Sequence, residues 1–460
     1  MDFTFNAFMS FAIVVLVSAP MAIQAQSKKD RNQARISMEA ADRFFQQKNY
    51  RAAADGYGES IQRVPNNPYA HYRKGFAHFN LNENDLALNE FSVALSQGFS
   101  PLEVYRVRAF IYYQQQNYDE AIDDIQKGIA LAPRDLPFLK ALGEIYFAKK
   151  EYNEALSAFQ RAASVAPSDA DIDYNLARIY FANGNTRSQS TSAAAALTKG
   201  TRLPGETHFL LGDAYQKLGN VPGSIDEYKK AINSKPDIYQ AYRNLAEVYR
   251  NENRFNDAIE ISKQGLKMFP QNGGIYTDLS WYYSQADRAD DAVQAAKAAV
   301  SLSSKEYMGY TNLCRAYNDT KKYDLAIAAC NGALGLQPGD GETYFYLARA
   351  YNLTGRTAEA TKLYGRAVAG LIEYTNSLPD YSDGWYLLGN AYFADNQRDK
   401  AIDAYLKCLA LSPKFTKARY NLAIIYTRKK NRAAAMEQYD RLVPLDTKLA
   451  AALRSEIDRM

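Results

Sequence analysis

Residues 383–415 read DGWYLLGNAYFADNQRDKAIDAYLKCLALSPKF. Trp385, Leu388, Gly389 and Tyr392 fall on one face of a helix by the 3.6-residue period, and Ala401, Tyr405 and Cys408 do the same on a second helix. Pro413 ends the second helix, because it lacks an N–H and its ring blocks the preceding turn. The stretch therefore predicts two short amphipathic helices around a tight turn, with apolar stripes that one such pair cannot bury alone.

Working outward at a spacing of 34, the same pattern fits the chain twelve times. Its order is aromatic, Leu, small residue and Tyr, then Ala, aromatic and Pro, which resembles the tetratricopeptide repeat. The resemblance covers most of the chain. It implies an all-α fold, a right-handed α-solenoid (superhelix) of tandem antiparallel helix pairs. It also implies a non-enzymatic scaffold for protein–protein interaction, whose concave face takes an extended peptide or a partner helix. Repeats one to four occupy 34–169, a degenerate repeat five 170–204, and repeats six to twelve 205–449. The tail 447–460, TKLAAALRSEIDRM, reads as one amphipathic helix that caps the last apolar face.

Two places break the pattern. The second half of repeat five, RSQSTSAAAALTKGTRLP, has helical propensity at Ala193–Ala196 but no large side chain in the aromatic position. It is expected to couple weakly to its neighbours, as a soft joint. In repeat ten, Ala367 and Trp385 lie 18 residues apart where the pattern predicts 11. Seven extra residues are close to two helical turns, so the second helix can lengthen by ~10 Å near 368–381 without rotating its apolar face. The added part holds Leu371, Ile372 and Tyr374, which read equally as a partner site or as a longer packed helix.

Residues 8–25, FMSFAIVVLVSAPMAIQA, are apolar and end in small residues. They resemble a secretory signal peptide cut after Ala25, followed by a polar lead-in at 26–33. This predicts an exported protein, periplasmic or extracellular. The alternative is a membrane anchor left uncleaved, because Asp2 precedes the run and Lys28, Lys29 and Arg31 follow it.

The formal charge is +4, from 55 basic and 51 acidic residues, too even a balance to imply nucleic acid. No metalloprotease, nucleophile-elbow, phosphate-loop or CxxC motif is present. His71, His78 and His208 occupy packing positions of the repeat, which favours a structural role over a metal or catalytic one. The sequence therefore implies no catalysis, no cofactor and no metal. Cys314 and Cys330 occupy the eighth and twenty-fourth positions of repeat nine, which face each other across the helix pair. In an oxidising compartment they can bond; otherwise they are two buried thiols. Cys408 has no evident partner.

If positions four, eight and eleven of the first helix pack, then positions two, five, nine and twelve form its other side. In the early repeats that side is aromatic: Phe45, Tyr69, Tyr72, Phe76, Phe79, Phe110, Tyr113, Phe147, Tyr174, Phe181 and Phe209. Such a face suits apolar or proline-rich peptide, or sugar rings; equally, the rings can pack on one another. Further on, Arg178, Arg243, Arg250, Arg315 and Arg349 appear there, residues suited to carboxylates, with Glu144, Asp213 and Glu247 among them. Asn175, Asn244, Asn312 and Asn421 hold the sixth position, resembling the asparagine ladder of protein O-linked N-acetylglucosamine transferase, here in only four repeats. The expected partner is a protein or peptide, in a membrane-associated complex. The alternatives are carbohydrate binding in the cell envelope, or an accessory subunit of an enzyme complex.

Overall fold

The computed structural model describes residues 28–99 and 101–460, so the apolar segment at 8–25 lies outside the described residues. Among the described residues the chain is entirely helical, with 25 α-helices packed consecutively in antiparallel pairs and no strand. None of these helices is long and apolar enough to cross a membrane.

The joint inside each pair is a residue in the left-handed conformation. Lys48, Asn82, Gln116, Lys150 and Gly184 take it 34 residues apart, and so do Gly219, Asn253, Asp287, Lys321 and Gly355. The step from Gly355 to Asn396 is 41, the usual 34 plus the seven added residues of repeat ten. The second helix ends in one of two ways. Where a proline follows, the preceding residue is pushed toward extended geometry, as at Val64 (φ −134°) and Ser412 (φ −134°), except in repeat twelve, where Val443 before Pro444 stays helical (φ −49°). Repeats two, five and eight lack that proline; Gly98 (φ +83°) and Gly200 (φ +79°) end the helix in the left-handed region in the first two, while Ser303 (φ −136°) keeps the extended ending in repeat eight.

Packing within a pair follows a small-against-large rule. A Cβ on Gly143 would stand 2.5 Å from the Phe159 ring, and one on Gly389 2.6 Å from the Tyr405 ring. Glycine is therefore needed where the two helix backbones close over a ring that is itself fully buried (Phe159, Tyr405). In repeat nine the same two positions are Cys314 and Cys330, and a disulfide joins them with Cα atoms 5.2 Å apart. Cys408 is free and buried, and burial raises its thiol pKa.

The chain divides into two compact units, residues 1–203 and 204–460. The first contains the described helices from Lys28–Gln46 to Thr186–Thr198, the latter being the second helix of repeat five. Ala193, Ala196 and Gln189 are its buried residues, so it packs without a large side chain. The second unit runs from Pro204–Lys217 to Thr447–Asp458. Its long helix in repeat ten is Thr357–Ser377, 21 residues against 14 for Arg398–Leu411. The terminal helix Thr447–Asp458 buries Ala450, Leu453 and Ile457 against the last pair.

Candidate functional site

In the first unit, the predicted aromatic residues are brought together along the first helices, and they touch one another. Ring centroids lie 5.8 Å apart for Tyr69–Tyr72, 5.0 Å for Tyr72–Phe76 and 6.0 Å for Phe79–Phe110. Tyr113 and Phe147 lean on Tyr118 and Tyr152, the first residues of their own second helices. Phe79 is buried, Phe181 is 38% exposed, and Tyr69, Tyr72, Phe76, Phe110, Tyr113, Phe147 and Tyr174 are half-buried. Burial holds the Tyr72 hydroxyl pKa up at about 12, so it stays a hydrogen-bond donor at neutral pH. Arg178 closes the row, with its guanidinium 4.4 Å from the Phe147 ring centroid and Nη1 donating to Asn175 Oδ1 (2.6 Å) and Glu144 (3.2 Å). The result is a preformed surface of ring faces and edges.

The sixth-position asparagines are engaged within the fold. Asn244 Nδ2 donates to the hydroxyl of Tyr228 in the preceding repeat (3.1 Å). Asn421 Nδ2 donates to Asn390 Oδ1 (2.9 Å) and approaches the Tyr405 hydroxyl (3.4 Å). Asn312 Nδ2 donates to the Thr277 carbonyl (2.9 Å), and its Oδ1 accepts from Arg315 (2.8 Å). These amides stitch neighbouring repeats together. The histidines are likewise spent on carboxylates: His71 on Glu90 at 2.6 Å, His78 on Glu83 at 2.7 Å and His208 on Glu227 at 2.5 Å. Among the described residues no group of three or more His, Cys, Asp or Glu could hold a metal ion.

Of the arginines predicted for the binding side of the second unit, Arg250 and Arg315 turn inward, whereas Arg243 is exposed with Asp278 3.9 Å away and Arg349 is paired with Asp319 at 2.9 Å. Repeats seven to eleven surround a chamber of about 170 Å³. Its walls include Arg250, Asp278, Trp281, Asn312, Arg315, Asp340, Glu342, Tyr346, Tyr381, Asp383 and Tyr386. From the long helix Thr357–Ser377 come Leu371 and Tyr374, whereas its Ile372 lines a separate hollow with Trp385 and Tyr392. The added segment packs through Leu371, while Ile372 stays exposed.

A seam closes one side of this chamber by joining residues far apart in sequence. Arg250 Nη1 donates to the Tyr381 hydroxyl (3.2 Å) and lies 3.7 Å from Asp383. Lys414 pairs with Glu252 at 2.6 Å, and Asn253 Nδ2 donates to the Lys414 carbonyl. Lys448 reaches Asp287 at 3.3 Å. Burial works against the charge of Arg250, but Asp383 and Tyr381 outweigh it and raise its pKa. Arg315, only 5% exposed, stands 3.7 Å from the Glu342 carboxylate. Burial pushes Glu342 up to about 7, the pull of Arg315 being too weak to offset it, while Asp340 and Asp383 push the same way. Asp383 is raised too, again chiefly by burial.

Sequence reasoning named Arg250, Arg315 and Asn312 but missed Asp278, Trp281, Glu342 and Asp383. Glu342 and Asp383 hold second positions and Trp281 a ninth, on the same helix side as the arginines. That shared side was the available signal.

Family models described as tetratricopeptide repeat match residues 38–101, 102–135, 209–273, 277–341 and 382–415, and one described as TPR repeat matches 143–184. The sequence finds no match among the curated proteins. Solved structures with a similar fold include MamA protein, 24% identical, covering 38% of this chain and 94% of that one (TM-score 0.34). Yeast Tom70 is 15% identical over 94% of this chain and 97% of its own (TM-score 0.42). Pseudomonas aeruginosa pilF is 14% identical over 48% of this chain and 100% of its own (TM-score 0.39).

Proposed function

This chain belongs to the tetratricopeptide-repeat family, and from that premise we propose that it is a non-catalytic scaffold of the cell envelope. It holds a protein or peptide partner on the aromatic face of its first unit. The observation that carries this reading is the run from Tyr69 to Phe147, whose rings are fixed by contacts with one another or with Tyr118 and Tyr152 before any partner arrives. A surface fixed in advance loses little side-chain entropy on binding, and half-buried aromatic rings still offer apolar area and hydroxyl donors. Arg178 and Glu144 at its end supply charge that sets register.

Export is supported by the apolar segment 8–25 and by the Cys314–Cys330 disulfide, a bond that persists in oxidising compartments. The test is affinity capture under cross-linking from the native envelope, using wild type and the triple variant Phe76→Ala, Phe110→Ala, Phe147→Ala. The triple variant is expected to lose the captured partner. Because Phe76 also packs on Phe91 (5.1 Å), the exposed Phe181→Asp is run beside it, with circular dichroism on both. Undiminished capture by folded variants would remove this face as the site.

A further inference from the structure

We propose that the chamber of repeats seven to eleven is a binding site for a small organic cation, an alkylammonium or guanidinium group. The inference is independent of the aromatic face of the first unit, since it uses only residues of the second.

The charge balance points that way. Four carboxylates line the chamber (Asp278, Asp340, Glu342 and Asp383) against two guanidiniums, Arg250 and Arg315. Arg250 donates to Tyr381 and lies 3.7 Å from Asp383, Arg315 donates to Asn312, and Arg243, which does not line the chamber, stands 3.9 Å from Asp278. Lys417 lines an adjoining pocket of about 30 Å³ rather than the chamber. Asp340 has a structural duty, since Thr343 N–H donates to it at 2.8 Å. Glu342 has only the Arg315 guanidinium, at 3.7 Å, beyond hydrogen-bond reach. A buried carboxylate without a close cation is unfavourable, and a cation brought to it recovers that loss.

The walls suit the rest of such a ligand. Trp281 and Tyr346 present ring faces already used by cations, with Arg315 5.9 Å and 5.7 Å from their centroids. A ring face attracts a second cation in the same way, more strongly where water is scarce. Leu371 and Leu387 also line the chamber and can take a hydrocarbon stem. An acidic cavity with aromatic and aliphatic walls favours a cation over an anion, which the carboxylates repel, and over a neutral polyol, which leaves Glu342 without a close cation.

The cation has two sources, a free amine or a basic side chain of a bound partner, and the test separates them. The chain holds two tryptophans, Trp281 in the chamber and Trp385 outside it. In a Trp385→Phe background, Trp281 fluorescence is followed while butylammonium, agmatine and a capped lysine–arginine dipeptide are titrated in turn. A saturable change is expected with at least one of them below about 10 mM, a weak but specific affinity. Saturation by the small amines identifies a free ligand, and saturation by the dipeptide alone identifies a partner's side chain. Glu342→Gln, and separately Asp278→Asn, are expected to weaken that binding about tenfold or more. The proposal is overturned if no cation gives a saturable change, if 1-butanol or acetate acts as well as butylammonium, or if both folded variants bind like wild type.

Discussion

Glu342 should make the second unit less stable as pH rises, and its removal should reverse that. The residue starts in the ordinary range at 4.5 and is lifted to about 7, chiefly by burial, with only 15% of the side chain exposed. Between these values the folded chain keeps a proton that the unfolded chain releases. Stability therefore falls as pH climbs from 4.5 through 7, and the loss is complete above it. At about 1.4 kcal/mol per unit of pH, the gap corresponds to about 3 kcal/mol. Arg315, Asp340, Asp383, Tyr346, Tyr374 and Arg250 surround the same chamber and remain in both proteins, so Glu342→Gln against wild type isolates this one carboxyl.

A tandem array opens locally, so the assay must be local as well. Hydrogen exchange of the amides in Gly341–Leu353, corrected for intrinsic rate, is measured from pH 5 to pH 8 in both proteins. Wild-type protection should fall relative to Glu342→Gln by on the order of a hundredfold across that range, with the two close together at the acid end. Parallel profiles would show that water or a nearby cation already neutralises Glu342, and the reasoning from burial would fail.

Gly389→Ala should destabilise repeat eleven by about 1–3 kcal/mol, because the new Cβ meets the Tyr405 ring at 2.6 Å; urea denaturation followed by near-ultraviolet dichroism reads it. Gly365→Ala, on the long helix with no atom within 4 Å of the new Cβ, should instead stabilise by about 0.5–1 kcal/mol in the same assay. The denatured, unreduced protein should titrate one thiol, Cys408, and reduction should cost about 3 kcal/mol for the loop closed by Cys314 and Cys330, 16 residues apart. Lys414→Glu should part the seam at Glu252, lengthening the distance between spin labels at Asn251→Cys and Ser412→Cys; an unchanged distance would show that the remaining contacts, Arg250 with Tyr381, Asn253 with the 414 carbonyl and Lys448 with Asp287, hold the seam without this ion pair.

The repeat, its twelve-fold recurrence and the seven-residue extension were legible because they are one-dimensional. Period, proline position and small-against-large pairing are all set within one unit or between adjacent ones. The left-handed turn was only partly legible. Lysine fills it at Lys48, Lys150, Lys321 and Lys430, where the exposed joint tolerates the strain that glycine would avoid. The seam was not legible at all. Arg250 and Tyr381 are 131 residues apart, and Lys414 and Glu252 are 162 apart. Their meeting depends on rotation accumulated over several repeats, a quantity no single repeat encodes. The same holds for Asn244 and Asn421, whose position on the binding side could be read but whose donation to the preceding repeat's tyrosine could not.

The disulfide gains meaning from where the chamber lies. In repeats one, two, four, six, ten, eleven and twelve the eighth and twenty-fourth positions hold a small residue against a ring, as Gly389 against Tyr405. Only repeat nine replaces that pair with a covalent bond, and its first helix Tyr307–Asp319 carries Asn312 and Arg315 into the chamber. Arg315 is held at 5% exposure beside a carboxylate it does not touch, an arrangement that favours any motion which lets water in. A cross-link one residue before Arg315 opposes that motion without adding volume. The bond therefore stands where the fold has most reason to resist opening, behind the wall that keeps the carboxylates of the chamber available to a cation.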